Sequence, residues 1–316
     1  MSTLVALILV VAGLAVLVAG ADALVLGAAQ IARRAGLSAF AVGVTIVAFG
    51  TSAPELFACV GSAIQDEPGI AAGNVVGSNI ANIALILGIG ALAGPIAIGR
   101  RIRTTEIPIM VAITGVAVIM MLNALVSRTE GVLLVAALGG YLLYIVRAHK
   151  EDILHEADEF TGKLKPAWMD ALFVVGGVVG LAVGARLLVL GARDLAIGLG
   201  VDEGIVGTTI IAFGTSIPEL VTTLRAIKNR ADMAVGNIVG SNIFNILSVL
   251  GVTALVRPLV IESEMDRHIW IMLAVSVLFM LWALARPRLG RVAGLVFLLG
   301  YTAYIVISYT PAMGGG

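Results

Sequence analysis

A duplication that runs through the whole chain constrains its fold more than any other feature. Gly20-Ala21-Asp22-Ala23-Leu24-Val25-Leu26-Gly27-Ala28 reappears as Gly184-Ala185-Arg186-Leu187-Leu188-Val189-Leu190-Gly191-Ala192, an offset of 164. The same offset carries Gly50-Thr51-Ser52-Ala53-Pro54-Glu55 onto Gly214-Thr215-Ser216-Ile217-Pro218-Glu219. GNVVGSNIANI at 73–83 returns as GNIVGSNIFNI at 236–246, now at 163, so the connection near 229 is one residue shorter. The chain is two homologous halves.

Each half holds five apolar runs. They lie near 3–28, 38–65, 69–93, 106–126 and 130–147, then 167–192, 203–228, 232–256, 268–285 and 291–309. Each is long enough to cross a hydrocarbon core of roughly 30 Å, which takes about 20 residues. A mean hydropathy of +1.07, with 59% hydrophobic and 13% charged residues, excludes an ordinary soluble domain. An odd number of spans per half makes the second half enter from the opposite face. The expected fold is therefore all-α and integral to the membrane: ten transmembrane helices as two inverted five-helix repeats, 1–147 and 167–316, joined by a polar loop at 148–166. In such folds the substrate site sits near the midplane, at the repeat interface, on interrupted helices. The first run reads as a span, because no basic residue precedes it and it recurs in the repeat.

Net charge is zero, but its distribution is not even. Of 20 Lys and Arg, 15 fall at odd-numbered connections and five (Arg128, Arg186, Arg193, Arg257, Arg267) toward the other face. The positive-inside rule then places the 148–166 loop in the cytoplasm and both termini outside. Cys59, the single cysteine, excludes an intramolecular disulfide and reads as helix packing.

The chemistry lies in the duplicated GTSxPE. Pro54 and Pro218 cannot donate to a helical carbonyl, so backbone oxygens become free at membrane depth. A freed carbonyl in lipid must be satisfied by protein, water or a cation. A carboxylate at that depth is costly and marks an ion path, and here there are two, Glu55 and Glu219. Thr51 and Glu55 are four apart, as are Thr215 and Glu219, so each pair can share a helix face. Asn74, Ser78 and Asn82 form an i, i+4, i+8 stripe, repeated as Asn237, Ser241 and Asn245. Asn79 and Asn242 point off the stripes, toward either backbone or the ion. Four such segments supply the six to eight oxygens that a hard cation takes, and one Cys with three His argues against copper or zinc. Asp22 and Arg186 read as snorkelling or structural ion contacts, and the acidic 148–166 loop as solvated rather than as a cation site.

At these residues the chain resembles the Ca2+/cation antiporter superfamily, and within it the prokaryotic sodium/calcium exchangers, whose two alpha repeats carry GTSxPE followed by GNxxGSNIxN. The resemblance spans both halves. It implies a secondary active antiporter of the plasma (inner) membrane that exchanges Na+ for Ca2+ by alternating access, with spans one and six sliding past the other eight. It further implies Glu55 and Glu219 as ligands shared by Ca2+ and Na+, with Thr51 and Thr215 completing the Ca2+ shell. Ser52, Ser78, Asn82, Ala212 through its carbonyl, Thr215, Ser216 and Ser241 match positions that line the Na+ sites. Several relatives carry Asp where this chain has Asn245, so two formal charges are expected here, with electrogenic exchange that needs no K+.

A proton/calcium antiporter of the same superfamily is the alternative, although those relatives carry GNxxE around the acids. A cation channel would not need the inverted repeat. No HExxH or GxSxG supports an enzyme. No cofactor and no nucleic-acid partner is expected beyond the two ions and the bilayer.

Overall fold

The computed structural model describes residues 2–65, 67–149, 166–199, 212–228 and 230–309. In the first repeat these are α1 Thr3–Ala35, α2 Ala39–Val42, α3 Ala48–Thr51, α4 Ala53–Ile64, α5 Pro68–Ile80, α6 Gly88–Ala93, α7 Ile107–Leu122 and α8 Arg128–Ala148. The second has α9 Ala167–Gly198, α10 Ala212–Thr215, α11 Ile217–Ile227, α12 Ala231–Phe244, α13 Gly251–Val256, α14 Asp266–Ala285 and α15 Arg291–Tyr309. Among the described residues, three π-helical segments join helices end to end, Gly43–Val47, Ala81–Leu87 and Asn245–Leu250, and a fourth, Ile102–Glu106, leads into α7. Among the described residues eight helical segments are long and apolar enough to cross a membrane, and α2 to α4, bent by 44°, make a ninth. The expected span at 203–228 is described only from 212, so part of it and most of the 148–166 loop lie outside the described residues.

Glycines fix how the halves meet. The longest helices, α1 and α9, pack along their whole length. A Cβ on Gly13 would stand 2.6 Å from Leu188 N, on Gly20 2.8 Å from Leu181 N, on Gly177 2.5 Å from Leu24 N and on Gly184 2.7 Å from Leu17 N. Only glycine lets two backbones approach this closely. As the numbers rise along α1 they fall along α9, so the helices are antiparallel. Moving each member of the Gly13–Gly184 contact to its repeat mate gives Gly177–Gly20, the other observed contact. Gly88 with Gly294 and Gly131 with Gly251 are related in the same way.

Two short ribbons repeat the symmetry, a small exception to the expected all-α chain. Strand β1 (Ile96–Ala97) pairs antiparallel with β4 (Arg288–Leu289), and β2 (Leu125–Val126) with β3 (Leu259–Val260). The shift of 163 turns Ile96 opposite Leu289 into Leu259 opposite Val126. These contacts carry the inverted repeat.

The start of the first broken helix is held from outside its own span. Ser38 caps α2 by accepting from Ala41 N at 3.1 Å, and its hydroxyl also meets His149 Nδ1 at 3.3 Å. His149 Nε2 lies 3.0 Å from Glu106 Oε1, which also accepts from Tyr144 Oη at 3.0 Å. The lipid-facing surface is aliphatic, with Leu4, Ile8, Val11, Val132 and Leu133 all exposed.

Candidate functional site

The two breaks have the same backbone. Ser52 ends α3 at φ −85°, ψ 2°, and Ser216 ends α10 at φ −88°, ψ 1°. Pro54 and Pro218 stand in the first turn of the next helix, where a missing N–H costs least. Glu55 and Glu219 follow in that same turn, and a helix N-terminus favours negative charge. Both carboxylates are buried, as are Thr51, Ser52, Ser78, Asn82, Ser216, Ser241 and Asn245. Thr215 is half-buried and Ala212 opens α10.

Several side-chain contacts at the breaks run between repeats. Ser52 Oγ donates to Glu219 Oε1 at 3.1 Å. Ser216 Oγ donates to Ser78 Oγ at 3.4 Å. Thr51 Oγ1 lies 3.2 Å from Asn237 Oδ1 and 3.4 Å from Ser241 Oγ. Thr215 lies beside Glu55 as Thr51 lies beside Glu219, so each threonine reaches the acid of the other repeat. A 44° bend at Ser52 stands between Thr51 and Glu55. The helices that bear the acids cross over as well: α4 packs on Asn245–Leu250 and α11 on Ala81–Leu87. Both π-helical segments hold the last Asn of a stripe, in the non-regular geometry often found at functional sites.

Among the described residues, both oxygens of Glu55, Oε2 of Glu219 and the side-chain amides of Asn82 and Asn245 have no hydrogen-bond partner, although all are buried. A buried polar group left unsatisfied costs about 1–3 kcal/mol, more when charged. Asn79 and Asn242 settle toward backbone, each donating from Nδ2 at 2.8 Å to the carbonyl four residues earlier, Val75 or Ile238. A cleft of about 10 Å3, room for one water-sized species, reaches Ser52 between Phe49 and Phe244.

Asn237 belongs to this network although its position in a stripe gave it no individual role. It accepts from Thr51 and donates from Nδ2 to Thr223 Oγ1 at 3.0 Å. Its mate Asn74 is only half-buried, and the mate of Thr223 is Cys59, whose thiol donates instead to Ala71 O at 3.6 Å. The signal in sequence was the Thr222-Thr223 pair standing where the first repeat has Ala58-Cys59. Asp22 makes a structural ion contact, pairing through both oxygens with Arg225 at 2.5 Å. The remaining acids and histidines of the 148–166 loop fall outside the described residues.

The profile of the family described as sodium/calcium exchanger protein matches residues 5–147 and 169–310. A putative antiporter, CaxA, of Alkalimonas amylolytica is 38% identical over 278 residues, covering 83% of this chain and 86% of its own. The sodium/calcium exchanger MaX1 of Methanosarcina acetivorans is 30% identical over 310 residues, covering 85% and 89%. Among solved structures, the sodium-calcium exchanger NCX_Mj superposes with a TM-score of 0.85 at 31% identity, over 97% of this chain and 99% of that one. With the duplicated break, the crossed contacts and matches across both halves, the chain belongs to the sodium/calcium exchanger protein family of membrane transporters.

Proposed function

We propose that this chain is a secondary active antiporter that exchanges Na+ for Ca2+ by alternating access. The observation that carries this reading is the set of buried acceptor oxygens that lack partners among the described residues, three on Glu55 and Asn82 of the first repeat and two on Glu219 and Asn245 of the second. Hard cations are the species that satisfy such a set. Glu55 and Glu219 are the ligands for which Ca2+ and Na+ compete, so one ion type is carried per half cycle. Backbone oxygens of Thr51 and Thr215 complete the Ca2+ shell. Ser52, Ser78, Ser216, Ser241, Asn82 and the carbonyl of Ala212 line the Na+ sites.

Two carboxylates neutralise one Ca2+ or two Na+. A third Na+ would rest on neutral oxygens and make each cycle move net charge. The names of relatives agree, since MaX1 is a sodium/calcium exchanger and NCX_Mj was studied in Na+ with Sr2+. We place the protein in the plasma (inner) membrane of a prokaryote, with repeats at 1–147 and 167–316 and both termini outside. The test is Ca2+ uptake into proteoliposomes. Uptake driven by an outward Na+ gradient is expected. Uptake driven only by an outward proton gradient would make the protein a proton/calcium antiporter, a reading that the broader name of CaxA leaves open.

A further inference from the structure

An open groove of about 920 Å3 lies far from the ion site, where α14 turns through β4 into α15. Its floor is apolar: Leu278, Leu281 and Trp282 of α14 line it, and Leu281 is 55% exposed. Its rim is basic, formed by Arg286, Arg288 and Arg291, and among the described residues no acidic side chain lines it. All three arginines are exposed, and among the described residues their guanidinium groups make no hydrogen bond or ion pair. From Leu278 to Arg286 is eight helical residues, about 12 Å of rise, so the floor descends from the rim into the depth of the hydrocarbon. The tilted contact of Trp282 with Phe297, 6.4 Å between ring centroids, holds the indole in the wall.

Symmetry shows that the fold does not itself demand this rim. The repeat operation carries the three arginines onto Asn123, Leu125 and Arg128 at the opposite face. One cation remains there, and it donates to the carbonyl of Val256 at 3.3 Å. The first-repeat strand paired with β4 leads into Arg100, Arg101 and Arg103, so the groove opens on the face that also collects these charges.

We infer that this groove binds an anionic phospholipid, its phosphate held by Arg286, Arg288 and Arg291 and an acyl chain lying along Leu278, Leu281 and Trp282. Guanidiniums recognise phosphate oxygens through two parallel N–H donors, and basic pockets between membrane helices are the usual seats of acidic lipid head groups. A free phosphate would satisfy the rim and leave the apolar floor bare.

Trp282 is itself the reporter. In a Trp168→Phe, Trp270→Phe background it is the only tryptophan, and its fluorescence in vesicles is quenched by any brominated acyl chain that reaches the groove. Brominated phosphatidylglycerol should compete against phosphatidylcholine with a preference of at least about fivefold, the value of one well-placed basic residue near a membrane surface. The preference should fall to near unity in R286Q/R288Q/R291Q. If that triple variant fails to assemble, each single Arg→Gln should lower the preference part of the way. Millimolar inorganic phosphate or glycerol phosphate should leave the quenching unchanged. Equal quenching by both lipids, or a preference that survives loss of all three arginines, overturns the inference, and displacement by free phosphate reassigns the rim to a soluble anion.

Discussion

The hydroxyl of Ser52, in the first repeat, donates to the carboxylate of Glu219, in the second, over 3.1 Å. The bond crosses the interface between the halves and joins the residue at one break to the acid beside the other. Anything that rotates one broken helix against its mate must change it. Because its acceptor is a buried carboxylate, it also sets which oxygen of Glu219 remains for an ion, and Oε2 has no partner among the described residues.

The two acids should be separable from the fold. Glu55→Gln and Glu219→Gln each remove half of the site's formal charge at nearly constant size, and should abolish Na+-driven Ca2+ flux while the protein still assembles. A neutral side chain at this depth is easier to bury, so the melting temperature should hold or rise. Flux in proteoliposomes and detergent melting, measured together, check both. Normal flux from either variant removes the assigned site.

Ser52→Ala and Ser216→Ala should not be equivalent, although the sequence makes them mates. Ser52 donates to a carboxylate, a bond worth about 1.5–3 kcal/mol, whereas Ser216 donates to the hydroxyl of Ser78, worth nearer 1 kcal/mol. The first substitution should weaken apparent ion affinity by roughly tenfold or more and the second by about fivefold. Equal shifts in ion titrations of the two variants would contradict the crossed geometry.

The repeat, the spans and the positions of the breaks were legible because each has a local cause: apolar length, an offset of 164, a proline before each acid. The partners were not. Ser52 with Glu219, Thr51 with Asn237 and Ser216 with Ser78 lie 138 to 186 residues apart, and the packing of two inverted halves decides them. The π-helical segments Gly43–Val47, Ala81–Leu87 and Asn245–Leu250 have no composition signal, since each continues a helix. Glu106 stands at the first position of the run at 106–126, and its burial against His149 and Tyr144 depends on α8 returning to that corner.

Glycine spacing gives a test of the α1–α9 seam. Gly184→Ala places a methyl 2.7 Å from Leu17 N, a backbone atom that cannot swing aside, whereas Gly176→Ala on the same helix meets nothing within 4 Å. Overpacking typically costs about 1–3 kcal/mol, so the first variant should lose melting temperature and assembly while the second should match the parent. Thermal melts of the pair in one detergent decide it.

Asn245 bears on which ions are carried. It is fully buried in the π-helical segment that packs on the helix of Glu55, and both polar atoms of its amide lack partners among the described residues. An amide offers an ion only a dipole, so the parent site keeps two formal charges, and Ca2+ flux should be indifferent to K+ on either side. Asn245→Asp adds a third carboxylate of almost the same size beside the first two. Like charges in a desolvated site cannot all stay ionised without a counter-charge. The variant must therefore take up a proton or a further monovalent cation, and its flux should become sensitive to pH, to K+ or to both. Ca2+ uptake at fixed Na+ gradient, with K+ exchanged for choline and pH stepped across neutrality, measures this for parent and variant side by side. A parent that already needs K+ would show that neutral oxygens at this position suffice to carry a further ion, and the charge argument would fail.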